Sequence, residues 1–174
     1  MLRFGAVRTF AEFRLAVLDE VSAATKSISG TPPTHFVVEN ELGGFDFVGP
    51  IWKDQAEKQR APDTMRTWIR EHRPHRLAVV GEAFAVDRPT ENERSLPPSQ
   101  NPRRRHVVDV WLFERGRPGA ESWEADVLTR EDGLIHLSDW RAFAMPGAIQ
   151  NGFLFDPVLD AMSETPSGGT GSVG

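Results

Sequence analysis

The N-terminal part of the chain carries apolar residues at spacings of three and four, a pattern that predicts an amphipathic helix. Thr9 and Glu12 form a capping box ahead of this stripe, and Ser29 and Gly30 follow it. We therefore expect a helix over residues 10–26 that packs one face against a core. The stripe consists of Phe10, Phe13, Val17, Val21 and Ala24.

A second helix is predicted over residues 62–73. Pro62 suits its first turn, where the missing N–H is not needed, and Pro74 marks its end. Asp54 and Glu57 form a further capping box, which indicates a short helical turn before this helix. The apolar face of the predicted helix consists of Met65, Trp68 and Ile69.

Alternating apolar and polar residues predict strands elsewhere in the chain. Residues 35–39 and 45–48 flank the pair Gly43-Gly44, which is the pattern of a β-hairpin. Later in the chain, Asp132-Gly133 is a strong hairpin turn, and it favours an antiparallel meander. The segments of this meander are residues 77–86, 106–114, 121–130 and 134–137. The first of them is apolar on both faces except at Glu82, which is typical of a central strand.

Three segments outside the meander complete the chain. Residues 88–103 are rich in Pro, Ser, Asn and Glu, and we expect a long mobile loop there. Asp156 and Pro157 resemble an N-cap and a first helical residue, so a short helix is expected through Met162. Residues 163–174 have the composition of a flexible linker.

These elements predict an α+β fold in a single domain over residues 1–162, with a flexible tail over residues 163–174. We expect a mostly antiparallel sheet of about six strands. Its inner side is expected to be covered by the two main helices, and a short helix follows at the C-terminal end. A chain of 174 residues fits one domain better than two.

Composition excludes several classes of function. The chain contains no cysteine, which rules out disulfides, a thiolate nucleophile and cysteine-based metal sites. The first eight residues hold no apolar run of signal-peptide length, and no segment has the eighteen or more apolar residues of a membrane span. We therefore expect a cytoplasmic protein that does not enter a membrane.

Charge is distributed unevenly along the chain. The net charge is −5, yet residues 53–76 hold seven basic and four acidic side chains. Arg103, Arg104 and Arg105 add a second basic run, which is a candidate for binding phosphate groups or an acidic protein surface. Acidic residues are interleaved through the middle segment, and no aromatic stacking motif accompanies the arginines. Nucleic-acid binding is therefore an open alternative and not the favoured one.

The candidate catalytic residues are acids on the predicted strands. Glu82 stands mid-strand, where a buried carboxylate needs an arginine, a hydrogen-bond donor or a raised pKa. Asp109, Glu124 and Asp126 lie on neighbouring strands and would form a magnesium site if they converged with Glu82. Structural ion pairs and a solvated sheet face explain the same residues without catalysis.

Other sequence features favour neither a metal nor a cofactor. The His72 and His75 pair is interrupted by Pro74 and lacks the spacing of a zinc helix. No G-x-S-x-G motif supports a nucleophilic serine, and the glycines at residues 168–171 lack the strand and helix of a phosphate loop. We expect no bound cofactor and no metal ion.

An apolar but irregular segment near the C-terminus exceeds what a loop needs. It is predicted either to seal the open face of the sheet or to form an interface. The candidate binding residues in it are Phe143, Met145, Phe153 and Phe155.

Short motifs between Trp52 and Trp140 resemble a scattered group of bacterial and phage proteins without known function. The motifs are Trp52-Lys53-Asp54 with Glu57-Lys58, the helix at Met65–Ile69, Gly81-Glu82-Ala83-Phe84, and Arg130-Glu131-Asp132-Gly133. The resemblance covers about half of the chain. It implies no activity and draws attention to Glu82.

Three functions are compatible with this sequence. The favoured one is a non-enzymatic binding or assembly module that acts through protein–protein contacts or self-association. The alternatives are a metal-dependent hydrolase of phosphodiester type using Glu82, Asp109 and Asp126, and a nucleic-acid-binding accessory protein using the arginine run. The absence of a convincing catalytic set favours the first interpretation.

Overall fold

The computed structural model describes residues 9–28, 30–31, 33–40, 42–49, 51–87, 90–143 and 154–164. Its helices are α1 (Phe10–Ile28), α2 (Gln55–His72), α3 (Glu91–Arg94) and α4 (Phe155–Ser163), and a 3₁₀ turn spans Pro98–Gln100. Its strands are β1 (His35–Glu39), β2 (Phe45–Val48), β3 (Arg76–Ala85), β4 (Arg105–Glu114), β5 (Glu121–Thr129), β6 (Ile135–Leu137) and β7 (Arg141–Ala142).

The strands form one antiparallel sheet in the order β2-β1-β3-β4-β5-β6. The short strand β7 also pairs with β5, so β6 and β7 follow one another along the same outer edge. The α+β class, the antiparallel meander and the β1–β2 hairpin are therefore confirmed. The sequence did not predict β7, because two residues carry no alternation.

The two main helices cover opposite faces of this sheet, whereas the sequence predicted both on one inner side. Alternate residues of β3 explain the arrangement. Leu77 and Val79 pack against α2 and α4, while Ala78 and Val80 pack against α1. We call these two sides the α2 face and the α1 face. The result is a three-layer arrangement in which the middle of the sheet is buried on both sides.

Strand β3 is covered along only half of its length. Arg76–Val80 are all buried, but exposure alternates from Gly81 onwards because the helices do not extend over that end. Glu82 is consequently exposed, and the expectation of a strand covered on both faces holds for the first five residues alone.

Helix α2 is longer than predicted. Glu57 N–H donates to the side chain of Asp54 at 2.8 Å, so the predicted N-cap starts the whole helix, and the side chain of Glu57 accepts from Lys53 N–H at 2.8 Å. Pro62 therefore lies inside α2 and not in its first turn. The helix ends at Arg73, which adopts a left-handed conformation before Pro74.

The segment predicted as a long loop contains ordered helical turns. Thr90 and Glu93 form a complete capping box for α3, and Arg103 Nε donates to Glu93 Oε1 at 2.7 Å. The sequence analysis did not predict these turns because the segment is polar and has no apolar stripe. A capping box starts a helical turn without such a stripe. Burial of Asn101 beside them shows that the segment packs onto the domain.

Helix α4 begins at Phe155, one residue before the predicted N-cap, and buries Phe155 and Val158. The predicted binding residues Met145 and Phe153 lie outside the described residues, as does most of the predicted flexible tail at residues 163–174. Within the described part of the chain, no helix is both long and apolar enough to span a membrane.

Candidate functional site

The predicted catalytic acids do not meet at one place. In the register of the sheet, Asp109 lies opposite Glu124, and Asp126 lies opposite Val107. Residues directly opposite each other share a face, and here that face is the α2 face, because Phe113 on the same side of β4 packs against α4. Glu82 pairs with Val108, whose side chain packs under α1. The predicted convergence of Glu82 with Asp109 and Asp126 is therefore wrong.

Arginines neutralise two of the acids on the α2 face. Arg105 Nη2 lies 3.0 Å from Glu124 Oε1, and it also contacts Asp126 through Nη1. Arg141 Nε lies 2.7 Å from the same Glu124 oxygen, and its Nη1 lies 3.1 Å from Asp126 Oδ2. Asp87 binds the outer side of Arg105 at 2.7 Å. The cluster is a salt-bridge network that ties β4, β5 and β7 together.

Asp109 is the exception in this network, because it has no ion pair or hydrogen bond to the described residues. Burial raises the pKa of Asp109 to about 7, and repulsion from Glu124 adds to the shift. Its carboxyl group is therefore partly protonated at neutral pH, as expected of a general acid or base and equally of a structural group. Among the described residues, no group of three or more side chains is placed to hold a metal ion.

Glu82 has partners that the sequence did not predict. Thr31 Oγ1 donates to Glu82 Oε2 at 2.6 Å, and His106 Nε2 lies 2.6 Å from Glu82 Oε1. This contact is an ion pair only when the imidazole carries a proton on both nitrogens, and its geometry is not that of a hydrogen bond. Glu82 is thus an exposed residue paired with a histidine, and not a buried carboxylate paired with an arginine.

Ring side chains surround this pair where α1 no longer covers the sheet. The ring of Phe84 lies 5.4 Å from His106, and the guanidinium of Arg104 lies 5.5 Å from Phe84. On the outer strands, the ring of His35 lies 5.9 Å from Phe47. We call this surface the aromatic strip. Its two ring pairs stand on β2 and β1 and on β3 and β4. His35 lies opposite Val80, four residues along β3 from Phe84, so about 13 Å of strand separates the pairs.

The aromatic strip is open to solvent and rests on regular strands. Phe47 is 52% exposed and Phe84 is 38% exposed. Burial lowers the pKa of His35, although the hydrogen bond between its Nδ1 and Pro33 O opposes this shift. His35 is therefore neutral at neutral pH. Arg104 remains as the cation of the strip without a carboxylate partner among the described residues.

The predicted binding residues are divided among different environments. Arg103 pairs with Glu93, and Arg105 belongs to the salt-bridge network, so Arg104 is the member of the run that faces solvent at the aromatic strip. Phe155 is buried against Trp111 and Phe113. Phe143 is half-buried, and its N–H donates to Ser122 O at 3.0 Å. These positions favour sealing of the sheet by the described part of the apolar segment.

Sequence reasoning missed Phe47 and Phe84 as surface residues. Only the alternation along β3 indicated the exposure of Phe84, because this residue shares a face with Glu82 and lies beyond the last buried residue of the strand. Comparisons with protein-family models, curated proteins and solved structures found no match to this chain. The resemblance of the Trp52–Trp140 segment to bacterial and phage proteins stays a prediction.

Proposed function

We propose that this protein is a binding module that acts through protein–protein contacts, and that the aromatic strip is its binding surface. The observation that carries the proposal is the exposure of Phe47 and Phe84 on regular strands. Solvent-exposed phenylalanines gain free energy when a partner covers them, at about 25 cal/mol per Å² of apolar surface. Side chains fixed on strands lose little conformational entropy on binding.

The charge of the strip indicates the chemistry of the partner. Glu82 lies against His106 and accepts a hydrogen bond from Thr31, whereas the guanidinium of Arg104 lies over the ring of Phe84 and has no carboxylate partner among the described residues. A partner segment with apolar side chains for the two phenylalanines and a carboxylate for Arg104 matches this surface. The carboxylate would bind the guanidinium through charge-assisted hydrogen bonds.

The geometry supports the hydrolase alternative less well. Glu82 lies across the sheet from Asp109 and Asp126, and two arginines occupy Glu124 and Asp126. A divalent cation would have to displace these arginines before it gained carboxylate ligands. Calorimetric titration with magnesium and manganese tests this alternative directly.

Replacement of both phenylalanines tests the proposed surface. We expect Phe47→Ser with Phe84→Ser to weaken binding of a purified natural partner by about thirtyfold or more, as loss of central aromatic anchors does. The partner is first captured from the native cell with the unmodified chain, then purified and titrated calorimetrically. Both side chains are exposed, so the substitutions are expected to leave the urea midpoint nearly unchanged.

A matched control replaces exposed leucines outside the strip. Leu15 is 58% exposed and Leu128 is 41% exposed, and serine at both positions should leave affinity within about twofold. Equal binding by the phenylalanine variant would overturn the proposal. The chain could instead bind single-stranded nucleic acid with an affinity that falls steeply with salt and depends on the aromatic strip. That result would show that the partner is a nucleic acid and not a protein.

A further inference from the structure

A groove of about 650 Å³ opens between the C-terminal end of α2 and the edge strand β2. It lies on the α2 face, so it is separate from the aromatic strip on the other side of the sheet. Its volume lies within the range of small-molecule binding sites. Val38 and Val48 form the apolar part of its sheet wall, and Trp68 and His72 form its helix wall.

The helix wall presents a fixed flat surface. The rings of Trp68 and His72 are stacked, with centroids 4.4 Å apart and planes 13° apart. His72 Nδ1 lies 2.9 Å from Trp68 O, and a carbonyl only accepts, so the proton of the neutral ring is on Nδ1. This hydrogen bond fixes the orientation of His72. A planar ligand ring has a preformed stacking partner here.

Arg73 supplies a cation at the end of the groove, although its backbone conformation is unfavourable for arginine and a second arginine lies nearby. Its φ of 47° is left-handed, a conformation that favours glycine or asparagine at a helix C-terminus. Its guanidinium has no ion-pair or hydrogen-bond partner in the described part of the chain. The pKa of the nearby Arg115 is lowered, chiefly by burial and also by the charge of Arg73. A residue other than glycine held in this conformation motivates the hypothesis that its side chain serves a ligand.

Asp46 supplies the opposite charge on the sheet wall. Asn40 Nδ2 donates to Asp46 Oδ1 at 3.2 Å, which orients the carboxylate and leaves its other oxygen without a partner among the described residues. Glu39 and Arg76 also line the groove, but they belong to a buried ion triad with Glu114, in which Arg76 lies 3.0 Å from Glu39 and 2.8 Å from Glu114. Outside this triad, the groove offers one cation, one anion and an aromatic wall.

We propose that this groove binds a small aromatic zwitterion of the amino-acid class. Its ring would lie on the Trp68–His72 stack, its carboxylate would bind Arg73, and its ammonium would approach Asp46. Asp46 would repel a ligand that carries only negative charge, and Arg73 would repel a ligand that carries only positive charge. A ligand with both charges matches both walls, which is how electrostatic complementarity selects a partner.

Three probes and two variants test the assignment by calorimetry on the full chain. L-phenylalanine carries all three groups, phenylpropionate lacks the ammonium, and phenethylamine lacks the carboxylate. We expect L-phenylalanine to bind most tightly. Arg73→Gly should weaken it about tenfold or more, because a charge-assisted hydrogen bond is lost, while binding of phenethylamine is retained or improved. Asp46→Asn should weaken L-phenylalanine and strengthen phenylpropionate.

Folding and binding are separable in this design. Glycine suits the left-handed position, so Arg73→Gly is expected to raise the urea midpoint while binding is lost. Arg60→Gln removes an exposed arginine of α2 outside the groove and should change neither property. Undiminished binding of L-phenylalanine to the Arg73→Gly variant would falsify the assignment. Tighter binding of either truncated probe, or no heat from any probe at about 10 mM, would also reject it.

Discussion

Asp109→Asn is expected to stabilise the protein at pH 8 by about 2–4 kcal/mol. The carboxyl group of Asp109 is half-buried beside Glu124, and its pKa is raised from 3.8 to about 7. Above pH 7 the folded protein must hold this group ionised in an environment that disfavours the charge. A difference of about three pKa units corresponds to about 4 kcal/mol, and the unsatisfied amide of asparagine offsets part of the gain.

The effect of Asp109→Asn should depend on pH in a defined direction. The folded protein binds more protons at Asp109 than the unfolded chain between pH 4 and 7, so the contribution of Asp109 to stability falls as pH rises through this window. Below about pH 4 the carboxyl group is protonated in both states, and the variant should then differ little from the parent. Above about pH 7 the difference should be constant.

Urea denaturation of the parent and the variant at several values between pH 4 and 8 measures this difference. Asp139→Asn is the control, because Asp139 is exposed and its replacement should shift stability by less than about 0.5 kcal/mol at every pH. A stability difference for Asp109→Asn that does not change across the window would mean that Asp109 is ionised throughout in the folded protein.

The location of the acids shows what a sequence pattern determines and what it leaves open. Alternation along β5 puts Glu124 and Asp126 on one face of that strand, and the register of the sheet brings Asp109 of β4 to the same face. The relation between β3 and β4 depends on register, which the intervening segment at residues 86–104 sets. Gly81 lies opposite Asp109, and a shift of one residue would have brought Glu82 to the same face.

The helices illustrate a second limit of the sequence. Apolar stripes predicted α1 and the later turns of α2, but they did not show that the two helices cover opposite faces. That arrangement requires the residues of β3 from Leu77 to Val80 to be buried alternately on the two faces of the sheet. Because all four residues are apolar, the sequence does not show which of them faces which helix. Pro62 was misplaced because the N-cap of α2 lies eight residues earlier and the helix tolerates an internal proline.

Arg76→Ala is expected to destabilise the protein by about 3–5 kcal/mol. Arg76 is the buried centre of an ion triad, with Nη1 3.0 Å from Glu39 Oε2 and Nε 2.8 Å from Glu114 Oε1. Its side chain is 8% exposed, and that of Glu39 is 10% exposed. Removal of the guanidinium leaves two poorly solvated carboxylates close together, which is the costly way to break a buried ion pair.

The loss of stability in Arg76→Ala should arise mainly because two carboxylates are left unpaired, and less because the packing contacts of the arginine side chain are missing. Arg76 joins the ends of β1, β3 and β4, and all three charges must be desolvated in the folded protein. If this explanation holds, replacing the whole triad with Arg76→Met, Glu39→Leu and Glu114→Leu should recover most of the stability, since apolar residues of similar size carry no desolvation cost. Arg76→Lys keeps one charge but cannot reproduce the two-sided contact, so its loss should be intermediate.

Urea denaturation of these variants at pH 7 separates the contributions of charge and packing. The triad is not coupled to Asp109, which lies on another part of the sheet, so Arg76→Ala and Asp109→Asn should be additive within about 0.5 kcal/mol. A triple variant as unstable as Arg76→Ala would show that the arginine stabilises the strand ends through its packing. Recovery of stability would show instead that β1, β3 and β4 pair without the triad, and that the triad is tolerated because each of its charges has a partner.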